Sequence, residues 1–423
     1  MIAKTPPMGW NSWDCFGAAV NEEEVRENAD YMAKNMKQYG WEYIVVDIQW
    51  YEPEAKSSAY NSFYPLCMDE FSRLVPAENR FPSSKNGNGF KPLADYVHSL
   101  GLKFGIHIMR GIPRQAVHKN TPIKGTTATA REVAHPNSIC LWNTDMYGVN
   151  ASKTGAQSYY DSILELYAEW GVDFLKVDDI ARPYSSGEIE LIQNAIKKTK
   201  REIVLSLSPG PAPVEEAEHL KKYANMWRMT DDFWDTWAHL YPMFDKCKEW
   251  SDHVGEGHWP DADMLPLGHI GIKSVEHGVS DRWTRFSKDE QILMMTLWSI
   301  FRSPLMMGGH LPDNDKWTLD LLTNEEVLRV LKDSKNAKQL FRNGHFNTHI
   351  AWTADDTDGS KYLALFNIGN IESDMEVSLV QLEVEGTYKA RDLWLKEDLY
   401  ETDRFINLKV NPHGARFVKL TKI

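Results

Sequence analysis

The sequence predicts an α/β fold built on parallel strands, followed by a separate antiparallel β domain. Three observations predict it. Short apolar runs alternate with amphipathic helical segments through about residue 330. Those runs are rich in Val, Ile and Leu and do not alternate, as strands covered on both faces do. After about residue 331 the pattern changes to strand-like runs joined by short polar turns.

The strand-like runs are YIVVDI (43–48), LKFGIHI (102–108), VDFLKVDD (172–179), EIVLSLS (202–208) and NMWRMTDD (225–232). Between them, Asn21-Glu22-Glu23-Glu24 reads as a capping box, after which Val25, Ala29, Met32, Ala33 and Met36 share one helical face. Over 156–170, Tyr159, Ile163, Leu166, Tyr167 and Trp170 fall on one side, and Gly171 is a stop signal. Ser287-Lys288-Asp289-Glu290 opens a further helix in the same way as the first. This β-α order fits an α/β barrel or a doubly wound sheet. No GxGxxG follows an early strand, which speaks against the dinucleotide-binding version. Runs at 349–354, 361–368, 375–382 and 388–395, and a pair around Asn411-Pro412-His413-Gly414, make up the β domain. The polar stretch Lys332–Asn336 marks a boundary, so the expected domains are residues 1–330 and 331–423.

The 423 residues suffice for one large domain and a smaller one. A net charge of −13 speaks against nucleic acid or an anionic membrane as partner. The start, MIAKTPPMGW, has no apolar signal core, and there is no 18-residue apolar run. Cys15, Cys67, Cys140 and Cys247 lie far apart without CxxC spacing and read as free thiols. These features predict a soluble, cytoplasmic protein. Sixteen Trp, 17 Tyr and 16 Phe provide flat faces able to line a sugar site.

Three predicted strands end in aspartate: Asp47, Asp178-Asp179 and Asp231-Asp232. In a βα barrel those ends form the active face. Any one of them could instead cap the next helix. Side-chain alternation places Lys176 with Asp178, and Arg228 with Asp232, on one face of each strand. Lysine does not belong against a helix layer, so this face is taken as the interior, together with Asp47 and His107. Asp179 and Asp231 are left as helix caps. Two carboxylates facing two cations suit glycoside hydrolysis, one carboxylate as nucleophile and the other as acid/base. Lys176 would keep Asp178 ionised. A proton donor needs a raised pKa, for which burial and a neighbouring anion are expected.

The runs TPPMGWNSWDCFG, WGVDFLKVDD, WRMTDD and WPDADML (259–265), in this order, resemble glycoside hydrolase family 27. The resemblance covers essentially the whole chain. It implies a (β/α)8 TIM barrel followed by a C-terminal antiparallel β-sandwich, and a retaining α-galactosidase-type activity without metal or cofactor. By motif, Asp178 matches the nucleophile and Asp232 the acid/base. The two carboxyl groups are then expected roughly 5–6 Å apart. Lys176 and Arg228 match contacts to sugar hydroxyls, and Trp13 the aromatic wall. Asp263 and Met264 match a loop near the sugar. Asp47 matches the first of two aspartates that hold the 4- and 6-hydroxyls of galactose.

Four positions depart from the family pattern. His107 stands where a tyrosine is usual. Cys140 lacks the usual disulfide partner, since Ile180 stands two residues after Asp178. Ser208 replaces a larger acidic residue near the sugar's 2-position. Ile48 replaces the second aspartate of the pair.

An isoleucine cannot accept a hydrogen bond from a CH2OH group. A hydroxyl buried against it costs on the order of 1–3 kcal/mol. Removing that CH2OH from α-D-galactose gives β-L-arabinopyranose, and the family includes β-L-arabinopyranosidases. The expected substrate is therefore a glycoside or oligosaccharide ending in β-L-arabinopyranose, with weaker α-galactosidase activity. The rival readings are a plain α-galactosidase and a barrel enzyme with a divalent ion on Asp47, Asp178 and Asp232. A non-catalytic sugar-binding barrel is a third. Self-association stays open.

Overall fold

The computed structural model describes residues 2–57, 59–275 and 279–423. Eight parallel strands form its centre. They are β1 (Met8–Asn11), β2 (Tyr43–Val46), β3 (Lys103–Met109), β4 (Phe174–Asp178), β5 (Val204–Leu207), β6 (Met226–Arg228), β7 (Trp259–Asp261) and β8 (Leu305–Met307). β1 to β7 pair with one another in chain order, and β1 also pairs with β8, Met8 opposite Leu305. Leu265, just past β7, bridges Met307 on β8. The sheet thus curls into the (β/α)8 barrel. Helices cover its outside, so the strands are buried on both faces, which is why they read as continuous apolar runs.

The helix signals fold as expected. Asn21 and Glu24 form a reciprocal capping box at Glu22–Asn35, and Ser287 and Glu290 form another at Lys288–Phe301. Gly171 closes the helix Ala156–Trp170 with a left-handed φ of 87°.

The apolar runs outlast the strands they announce. β2 ends at Val46 and β6 at Arg228, so Asp47, Asp231 and Asp232 lie in loops. Strand alternation therefore does not orient Asp232. Bends follow β6, and they bring Asp232 back beside Arg228. The two aspartates left as caps are not caps. Asp179 is buried and ion-paired to Arg110 at 3.0 Å, and the next helix starts behind Ser185. Asp231 pairs with Arg182 at 2.8 Å, and the following helix starts behind Thr236.

The C-terminal β-sandwich contains β9 (Lys335–Asn343), β10 (His349–Asp355), β11 (Lys361–Asn367), β12 (Ser373–Ser378), β13 (Tyr388–Asp392), β14 (Glu397–Thr402), β15 (Phe405–Val410) and β16 (Gly414–Lys422). Six strands make one antiparallel sheet in the order β9-β10-β11-β16-β13-β14, and β12 pairs with β15 to cover it. Leu363, Leu365, Val377, Ile406 and Leu420 fill the space between. The outer face of the large sheet rests on the barrel. Trp352 packs edge-on against Phe301, and Trp394 donates from its indole to Thr296 at 2.8 Å. Strands β9 and β14 have no counterpart in the sequence reading. All four cysteines are free thiols. No described helix is long and apolar enough to cross a membrane.

Candidate active site

A cavity of about 260 Å³ opens at the C-terminal ends of the barrel strands. Asp47 is a buried carboxylate of its wall. The loop entering from β2 is fixed by Ser12, whose hydroxyl accepts from the Asp47 amide at 2.9 Å. Asn11 and Lys176 both donate to Asp47 Oδ2, at 2.7 and 2.9 Å. Burial raises the carboxyl's pKa, but Lys176 and His107 outweigh it and hold the group down at about 2. Asp47 is therefore a fixed anion whose Oδ1 faces the Ile48 amide at 2.9 Å.

Asp178 ends β4. Its Oδ2 lies 3.1 Å from His107 Nε2, and its Oδ1 accepts from the Asp179 amide at 2.8 Å. An ionised carboxylate only accepts, so Nε2 carries the ring proton in this contact. Burial acts to raise the pKa of Asp178. The hydrogen bond from His107 and the nearby Lys176 ammonium override it and leave the carboxyl below its usual range. His107 itself is fully buried and does not line the cavity. The sugar contact expected there is replaced by a contact to Asp178. The carbonyl of His107 accepts from Trp50 Nε1 at 2.6 Å, so the aromatic residue after Ile48 anchors β3. Gln49 and Tyr51 likewise turn from the cavity and donate to Asp145 at 2.6 and 3.0 Å.

Across the cavity, Arg228 Nη2 bridges two carboxylates. It lies 3.1 Å from Asp232 Oδ1 and 2.7 Å from Asp263 Oδ2. Asp263 also accepts from the Phe233 amide at 2.7 Å. Burial raises its pKa to about 6 against the pull of Arg228. Asp232 departs from the expected buried donor: its side chain is 66% exposed.

Ile48 lines the cavity beside Asp47 and is only 2% exposed. Trp13 and Met264 supply further apolar wall. Ser208 does not reach this cavity. It is buried beneath it, bordering a separate space of about 20 Å³, room for about one water.

Several lining residues were not read from the sequence. Asp14 follows Trp13 in the GWNSWD run, which was the available signal. It is buried, its Oδ2 has no hydrogen-bond partner, and burial together with Asp263 raises its pKa well above the usual range. Tyr60 and Trp142 come from long loops. Tyr60 stacks on Trp13 at 6.2 Å and meets Trp142 at 5.7 Å. Arg182, Pro209, Phe233 and Trp234 also line the cavity. Among the described residues, no three of His, Cys, Asp and Glu group as a metal-ligand set.

Residues 5–132 and 124–333 match the family model "Alpha galactosidase A", and residues 347–420 match "Alpha galactosidase C-terminal beta sandwich domain". The chain is similar to a GH27 β-L-arabinopyranosidase of Geobacillus stearothermophilus, whose structure in complex with arabinose is known for a variant. Identity is 61%, the TM-score is 0.98, and 100% of this chain and 98% of that one are covered. A protein of Bacillus halodurans, provisionally assigned as an α-N-acetylgalactosaminidase, is 53% identical with a TM-score of 0.90 over 100% and 99% of the two chains. α-Galactosidase 3 of Arabidopsis thaliana is 27% identical over 99% of this chain and 82% of its own length. The chain belongs to glycoside hydrolase family 27, the α-galactosidase family, and that membership makes it a glycosidase.

Proposed function

We propose that the protein is a retaining exo-glycosidase that releases terminal β-L-arabinopyranose and, more slowly, α-D-galactose. Asp178 attacks the anomeric carbon while Asp232 protonates the departing oxygen. Asp232, now ionised, takes a proton from water as that water displaces Asp178, and the configuration is retained. His107 and Lys176 keep Asp178 ionised and so nucleophilic. Asp232 is open to solvent in the free enzyme, and a sugar in the cavity would cover it and supply the burial a proton donor needs.

Ile48 is the observation that carries the substrate assignment. Asp47 beside it, ionised and bound to Lys176 and Asn11, is equipped to orient ring hydroxyls. Ile48 offers only methyl and methylene surface. An exocyclic CH2OH against it would lose water and gain no partner, about 1–3 kcal/mol or roughly 10- to 100-fold in kcat/KM. A ring methylene meets no such penalty. The resemblance to the Geobacillus stearothermophilus β-L-arabinopyranosidase supports the same reading.

The α-galactosidase reading draws support from Asp14, a cavity carboxyl with an unpartnered oxygen that could receive a sixth-carbon hydroxyl. The test is kcat/KM on nitrophenyl β-L-arabinopyranoside and nitrophenyl α-D-galactopyranoside. The proposal requires the arabinoside to be preferred; preference for the galactoside ends it.

A further inference from the structure

Both carboxylate oxygens of Asp178 are held, and the second is held by a strained turn. Oδ2 meets His107 Nε2 at 3.1 Å, and Oδ1 accepts from the Asp179 amide at 2.8 Å. A left-handed backbone aims that amide: Asp179 has a φ of 56°. Residues with a Cβ are strained in this region, aspartate and asparagine least among them. Such a conformation persists where the surroundings hold it in place.

Arg110 holds this one. It directly follows β3, whose last residue, Met109, lies opposite Asp178 on β4. Its amide donates to the Asp178 carbonyl at 3.0 Å, and its Nε donates to the Asp179 carbonyl. Its Nη2 pairs with Asp179 Oδ2 at 3.0 Å. The Cys140 thiol, kept protonated by burial that pushes its pKa up to about 12, donates to the same carboxylate. Arg110 is itself fixed, since Nη1 donates to Glu188 Oε1 and Ser138 Oγ, both at 2.9 Å. Gly148 leaves room for the guanidinium: a Cβ there would lie 2.5 Å from Nη1.

A buried ion pair can serve as a brace and nothing more. Here the bonds from Arg110 fall on the two residues whose shared peptide group carries the N–H to Asp178 Oδ1. If Asp179 left the left-handed region, that N–H would swing away and Oδ1 would be released. Asp179 does not line the cavity, so its effect on a sugar passes through Asp178. A reacting group misplaced by about 1 Å loses about 10²-fold in rate. We infer that Asp179, clamped by Arg110, is a positioning residue: its side chain locks the turn whose N–H orients the Asp178 carboxylate for attack. The inference rests on the proposed role of Asp178 as nucleophile.

The test uses the dinitrophenyl glycoside of whichever sugar the wild type prefers. Its leaving group needs no proton, so kcat/KM reports attack by Asp178. At pH 7, Asp179→Ala and Asp179→Gly should each lower kcat/KM per folded molecule by about 10- to 100-fold. The Kd for the free monosaccharide should stay as in the wild type. Glycine takes the left-handed φ without strain, so its loss isolates the clamp from the turn. Asp179→Asn, which tolerates the turn and still offers Arg110 an oxygen, should recover most of the rate. Arg110→Lys keeps the charge beside Glu188 but cannot span the same groups. In that background Asp179→Ala should cost only about 2-fold more, because the clamp is already broken.

A wild-type kcat/KM in Asp179→Gly would overturn the clamp. A lowered melting temperature with unchanged kcat/KM across the series would reduce the pair to a brace and overturn the inference. So would a loss carried by weaker binding of the monosaccharide, or losses that multiply in full in the double variant. Asp178→Ala separates this inference from the reading beneath it. If Asp178→Ala keeps the wild-type rate, the nucleophile assignment fails and the positioning role falls with it. If Asp178→Ala is inactive while the Asp179 variants match the wild type, the positioning role alone fails.

Discussion

The amide of Ile48 donates to the carboxylate of its chain neighbour Asp47 at 2.9 Å, while the side chains of both line the same cavity. One position thus presents a fixed anion to a sugar, and the next presents a hydrocarbon surface. The two are locked together, because Asp47 is also held by Asn11 and Lys176. A substrate that satisfies Asp47 must accept Ile48.

Asp178→Ala should lower kcat by about 10⁴-fold or more on every substrate, since no second group can take over attack at the anomeric carbon. Asp232→Ala should behave differently. Its loss of about 10²- to 10⁴-fold on a disaccharide should shrink on a dinitrophenyl glycoside, which departs without protonation. Equal losses on both leaving groups would remove Asp232 from the acid role. Proton NMR of the first-released sugar should show the anomeric configuration of the substrate.

His107→Phe should move the acidic limb of the kcat/KM–pH profile to higher pH. The sign follows from the ground state. The His107 bond helps to hold Asp178 below the usual carboxylate range against burial. Without it the carboxyl protonates at higher pH, and activity at low pH falls first. An unshifted acidic limb would show that His107 does not tune the nucleophile.

Lys176→Met should destabilise the fold at pH 7 by about 3–5 kcal/mol, because it strands the buried Asp47 charge. Asp47 titrates at about 2 in the fold against an ordinary 3.8. In the wild type that depression contributes stability, about 2 kcal/mol, that is fully present above pH ~4 and lost as pH falls towards 2. The gap in melting temperature between wild type and variant should accordingly narrow as the pH is lowered. A gap independent of pH would contradict the pairing.

Much of this architecture was legible because barrel strands are buried on both faces and so appear as unbroken apolar runs. The carboxylates at their ends and both capping boxes were readable for the same local reasons. Strands β9 and β14 were missed because they are the two edges of the large sheet, where polar, exposed side chains leave little apolar pattern. Alternation brought Asp232 to notice but did not place it, since the chain bends after Arg228. Asp179 and Asp231 were misread as caps because their partners, Arg110 and Arg182, are remote in sequence or in a loop. Tyr60 and Trp142 stand in loops, where no periodicity points to a cavity.

The most direct test is the ratio of kcat/KM for nitrophenyl β-L-arabinopyranoside to that for nitrophenyl α-D-galactopyranoside, in wild type and in Ile48→Asp. The wild-type ratio should exceed one. The substitution restores an acceptor for the sixth-carbon hydroxyl and should lower the ratio by about 10- to 100-fold, chiefly by raising the galactoside rate. A wild type that prefers the galactoside, or a ratio unmoved by Ile48→Asp, would contradict the account.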